Sequence, residues 1–154
     1  MPILFGLVFM QNNRDCPENF TENPQYPAIE PECLPNDFIF YSSSSLGFYL
    51  FDIVTINDIE ISPEDWVGAF NGDICVGARK WEISLCGNGV CDLPVMGDQG
   101  EDFTEGYMNP GDFPTFKIYD ASENTYYDAL ASEEIPWVNM GFNNIDELNG
   151  YILG

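Results

Sequence analysis

The stretch from Val67 to Ala78, VGAFNGDICVGA, sets two short runs of small and apolar residues on either side of Asn71-Gly72. Asn-Gly tolerates the positive φ angles of a tight turn, so the stretch reads as a β-hairpin. Glycine and alanine stand where strands ordinarily carry bulk, which predicts a bulky group pressed against the arms. Trp66 and Trp81, flanking the hairpin, are the candidates. Outward from the hairpin the texture repeats: short aromatic and β-branched runs are separated by Gly, Pro, Asn, Asp and Ser. Strands are expected near 37–42, 46–56, 58–61, 66–70, 74–82, 91–96, 114–120 and 124–130. The run LGFYLFDIVTI, 46–56, is apolar on both alternating faces and reads as a central strand. Helical patterning is confined to Ala129–Glu134 and Asn144–Leu148. The expected fold is all-β, an antiparallel β-sandwich of immunoglobulin-like or jelly-roll type, over residues 37–154.

Composition narrows the function. The chain has 154 residues, enough for one core-bearing domain, and 26 acidic against 4 basic residues give a net charge of −22. With Arg14, Arg79, Lys80 and Lys117 as the only cations, neither nucleic acid nor an anionic membrane is an expected partner. The absence of histidine removes Ser-His-Asp and Cys-His nucleophile systems and histidine-ligated metal sites. No enzymatic activity is expected. Carboxylate pairs could serve a glycosidase, but among so many acids no particular pair stands out.

Before the sandwich lie two segments. Residues 1–10, MPILFGLVFM, are too short to span a bilayer and lack a basic leader, so no membrane insertion is expected. They read either as the stub of an export signal or as a strand apolar on both faces. Such a strand, with Ile3, Leu4, Phe5, Leu7, Val8 and Phe9 as its apolar residues, could pair within its own domain or with the next molecule. Residues 11–36 hold Pro17, Pro24, Pro27, Pro31 and Pro35 and read as an extended arm carrying a glycosylation acceptor pattern, Asn19-Phe20-Thr21. Five cysteines without a C-x-x-C pair suit an oxidising, extracellular or cell-surface location. The preferred bridges are Cys86 with Cys91 and Cys16 with Cys33, leaving Cys75 as a buried thiol; five free, buried thiols are the alternative.

The run Asp65–Trp81, DWVGAFNGDICVGARKW, with CDLPVMGDQG, TEGYMNPGDFPTFKIYD and a later Pro-Trp, resembles a module of secreted, cell-surface or sorted proteins of marine bacteria. The resemblance spans roughly residues 41–148. It implies a location outside the cell, a β-sandwich, and an adhesive, carbohydrate-facing or structural role, with no reaction attached.

Two constellations could bind something. Asp98, Glu101, Asp102, Glu105 and Asp112 sit among glycines with no cation, the hard oxygen donors and bendable backbone that Ca²⁺ uses. The pairs Asp58/Glu60, Glu64/Asp65 and Asp120/Glu123 could be brought to the same ion, and Asp73 is a further candidate. The aromatic set Trp66, Trp81, Trp137, Tyr107, Tyr126 and Tyr127 could offer a platform for sugar rings. Trp66 and Trp81 suit the core better, leaving Trp137, Tyr126 and Tyr127 as glycan contacts. The reading that follows is a Ca²⁺-stabilised extracellular structural protein, a subunit of a surface filament or tube or an adhesive module, assembling with itself by N-terminal strand donation. The alternative is a polysaccharide-binding module.

Overall fold

The computed structural model describes residues 16–151, so the assembly strand expected at 2–10 lies outside the described residues. The chain divides at Asn36/Asp37 into two compact units.

The smaller unit folds back on itself where an extended arm is expected. Strands β1 (Phe20–Glu22) and β2 (Cys33–Pro35) pair antiparallel, with Thr21 opposite Leu34. Prolines supply carbonyls but no N–H donors, so the bend between the strands needs donors from side chains. Asn23 provides them: its amide donates to the carbonyls of Ile29 (3.1 Å) and Pro31 (2.8 Å) and accepts from the Gln25 N–H.

The larger unit contains β3 (Leu46–Ile56), β4 (Ile59–Glu60), β5 (Trp66–Asn71), β6 (Ile74–Lys80), β7 (Asp92–Met96), β8 (Thr115–Asp120), β9 (Thr125–Ala131) and β10 (Phe142–Tyr151). They form one curled sheet in the order β4-β3-β10-β9-β8-β5-β6, with β7 beside the first half of β3. The sheet is mixed rather than purely antiparallel, because β10 runs parallel to β3. Curling brings Tyr49 and Phe51 of β3, Val67 and Ala69 of β5, Phe116 and Ile118 of β8, and Leu93 and Val95 of β7 into one core. The Phe51 and Phe116 rings meet edge to face at 5.2 Å.

Small residues in the hairpin do accommodate bulk, but neither tryptophan supplies it. A Cβ on Gly77, on the inner face opposite Ala69, would collide with the Pro94 carbonyl, so the β7 backbone itself presses there. Arg79 then reaches across to Asp92, donating to its carbonyl at 3.1 Å and pairing with its carboxylate. On the outer face, a Cβ on Gly68 would lie 2.6 Å from the Phe38 ring. Trp81 joins the inner core instead, and Trp66 is buried opposite Tyr119. The hairpin turn is Gly72-Asp73, with Gly72 at φ +63° and Asn71 paired to Ile74.

Three further expectations are corrected. Residues 37–42 form no strand: they cross the outer face as a strap, two of whose N–H groups donate to side chains, Asp37 to the Tyr126 hydroxyl (3.0 Å) and Tyr41 to the Tyr107 hydroxyl (2.9 Å). Residues 129–134 finish β9 and turn away without a helix. Residues 144–148 lie within β10, and Ile145 and Leu148 both reach the core three residues apart because β10 and its neighbour β3 change face together, at Asp146 and Asp52. No α-helix occurs among the described residues, and none is long and apolar enough to cross a membrane.

Candidate functional site

Cys16 is bridged to Cys33 with Cα atoms 5.7 Å apart, and Cys86 to Cys91 with Cα atoms 5.0 Å apart. The second bridge closes the Gly87-Asn88-Gly89 turn and anchors it in the core through Cys91. Both fit a chain that folds where thiols oxidise. Cys75 is free and buried, and burial pushes its thiol up to about 12, leaving almost no nucleophilic thiolate near neutrality.

The five acidic residues offered for Ca²⁺ are not gathered to a point. Among the described residues no group of three or more His, Cys, Asp or Glu side chains converges as a metal site would require. Two of them serve their own turns: Asp98 accepts from the Gly100 N–H at 2.8 Å, and Asp112 from the Asn109 N–H at 3.0 Å. Glu101, Asp102 and Glu105 border the short 3-10 turn 102–104 and face solvent. Glu60, Asp65, Asp120 and Glu123 do line one shallow hollow of about 450 Å³. Asp65 is committed, however, taking the N–H groups of Ser62 (2.8 Å) and Ala121 (2.9 Å). Asp73 stands in the hairpin turn.

The aromatic platform is dismantled. Trp137 is 1% exposed, and its indole N–H donates to the Val95 carbonyl at 2.9 Å. Its flanking Pro136 and Asn139 suggest a surface turn, but the glycines at positions 47 and 97 leave the space that the indole fills. Tyr126 packs edge-on against Phe38 with its hydroxyl engaged by the strap, while Tyr127 donates to Glu123 at 3.2 Å. The two tyrosines are consecutive in β9 and point to opposite faces.

What the sheet does assemble is an open groove of about 570 Å³ on its outer face. The register dictates its floor. Gly68, Lys117, Asp128 and Tyr151 stand side by side across β5, β8, β9 and β10, on one face. Phe70 and Thr115 form a second row, with Leu130 beyond. Lys117 Nζ lies 2.9 Å from the Asp128 carboxylate and 5.5 Å from the Phe70 ring centre. Phe38 is seated on Gly68, at the β5 end of the first row. Asp37 and Asp73 complete the rim, so the groove carries three carboxylates against one ammonium. The sequence hides this site, because only the pairing of β8 with β9 puts Lys117 opposite Asp128; the single clue is that Lys117 is one of only four cations.

No family model, curated protein or solved structure matches the chain.

Proposed function

We propose that the chain is a non-catalytic extracellular structural module of the secreted, cell-surface kind that its hairpin motif resembles. It assembles with itself by donating residues 2–10 to the sheet of the next copy. The observation that carries this reading is an available edge. Among the described residues, strand β6, Ile74–Lys80, is hydrogen-bonded into the sheet only through β5, because β7 lies against its face rather than along its edge. An apolar strand added there continues the ladder, as in β-augmentation. The stacking of β7 on β6 also supports a sandwich-like reading of the curled sheet. The two disulfides support a location outside the cell. Self-repulsion from the −22 charge opposes assembly, and Ca²⁺ gathered as a counterion over the acidic surface, rather than in a convergent site, relieves it.

Negative-stain electron microscopy with and without Ca²⁺ tests this. The full chain should form open-ended filaments that Ca²⁺ lengthens, and a chain lacking residues 1–10 should stay monomeric with an unchanged melting temperature. Filaments from the truncated chain, or its failure to fold, would refute strand donation.

A second reading, a polysaccharide-binding module, is favoured by one specific observation: the outer-face groove with its Lys117–Asp128 pair. Its volume is within the range of about 300–1,000 Å³ common to ligand sites.

A further inference from the structure

We propose that the outer-face groove binds a neutral, hydroxyl-rich polysaccharide lying across the strands; this rests on the second reading above and moves its site away from Trp137, Tyr126 and Tyr127. The floor is a row of hydrogen-bonding side chains of alternating character. Lys117 offers only donors, Asp128 only acceptors, and Tyr151 both. Adjacent strands are about 4.8 Å apart, so the row from Lys117 to Tyr151 extends about 10 Å. A pyranose carries hydroxyls around its rim that both give and accept hydrogen bonds, and neighbouring hydroxyls can donate together to one carboxylate. Rims of successive sugar units can therefore follow the row.

The second row supplies what the hydroxyls do not use. Thr115 is exposed and can bond either way, and Leu130, 65% exposed, gives an apolar surface for the C–H face of a ring. An exposed leucine beside an ion pair is left wet without a ligand and is covered by one that has both characters.

Charge selects among glycans. With Asp37, Asp73 and Asp128 against Lys117, the groove repels uronic acids, sulfates and phosphates, and the −22 net charge reinforces this at long range. The groove is open to solvent over the sheet face, so a stretch of polysaccharide can settle onto it from outside.

Affinity electrophoresis of the full chain in gels containing galactomannan, hydroxyethylcellulose or alginate decides the matter. At least one of the neutral polymers should retard the wild type, and alginate should not. Lys117→Ala with Asp128→Ala should weaken retention at least tenfold. Leu130→Ala, which alters only an exposed side chain, should weaken it several-fold, and both proteins should melt as the wild type does. If the double variant unfolds, Leu130→Ala alone carries the decision. Retention of the wild type with no loss in the variants overturns the groove while leaving a glycan-binding role standing. Alginate retention equal to that of the neutral gels overturns the charge argument. No retention of the wild type on either neutral polymer overturns both the groove and the reading on which it rests.

Discussion

Along β5, Val67 and Ala69 point into the enclosed core, while Trp66, Gly68 and Phe70 point outward and are buried as well. The two faces become dry by different means. The inner one is covered by the opposite half of the curled sheet, from β3 and β7 to β10 and the Trp137 loop, so each side chain there is hemmed in by several elements. Over Gly68 and Phe70 the outer one is covered by Phe38, which is 0% exposed and belongs to the strap of six residues, 37–42, held by two tyrosine hydroxyls. One is a vault, the other a roof on few fastenings. The comparison teaches that equal burial does not imply equal constraint, because the cost of emptying a site depends on how far its surroundings can settle into the gap.

Truncating the vault should therefore cost most. Trp137→Ala removes the ring that fills the space over Gly47 and Gly97 and leaves the Val95 carbonyl without its indole donor. A loss of about 3–5 kcal/mol is expected, read as a fall in the urea midpoint at constant m-value. A loss no greater than that of Phe38→Ala would break the comparison.

For the roof, Phe38→Ala should lower stability by about 3 kcal/mol, the bottom of the range for phenylalanine truncation, since the strap is free to settle or lift. The more telling readout is Cys75, which pairs opposite Phe70 on the same outer face. A thiol-specific reagent that leaves the native protein untouched should label Cys75 in this variant without denaturant. A thiol that stays inert would mean that the strap holds without its anchor.

The smallest effect sharpens the comparison through pH. Burial raises the Cys75 thiol from 9.0 to about 12, with Asp37 adding to the rise. Between those values the unfolded chain ionises first and binds fewer protons than the native one. The contribution of this group is therefore complete below pH 9 and is lost as pH climbs toward 12. Burial raises Tyr107 and Tyr126 in the same sense, so the informative quantity is a difference. Cys75→Ala should remove roughly 1 kcal/mol of the stability loss between pH 8 and pH 10, measured by urea titration at each pH. Parallel pH profiles for the two proteins would show that the roof is wetter than its burial implies.

Much of the frame is legible in residue order. The 46–56 run is apolar at nearly every position, and Asn71-Gly72 marks the hairpin within one residue. These signals are local. Strand β10 escaped because FNNIDELNGY is polar, and the shared change of face with β3 spaces its inward residues as a helix would. The strap escaped because DFIFY has strand propensity, while its hydrogen bonds go to tyrosines 66 and 89 residues away. The groove is likewise a product of register between strands, which no single window of sequence contains. Residue type suggested a tryptophan platform; glycines distant in sequence turned Trp137 inward.

The parallel pairing of β3 with β10 has a kinetic side. Thr55 donates to Asn149 at 2.6 Å across 94 positions of chain, and every contact along that seam closes a loop of similar size. Loop closure must be met before the contacts reward it, so a topology of this kind belongs to the slow folders, in milliseconds to seconds. During synthesis β3 emerges early, finds β4 and β7 along one edge, and keeps its other edge bare until β10 arrives. A bare, apolar strand edge in a half-made chain is the place where neighbouring chains adhere. Twenty-six carboxylates spread along the same chain hold nascent copies apart during that interval.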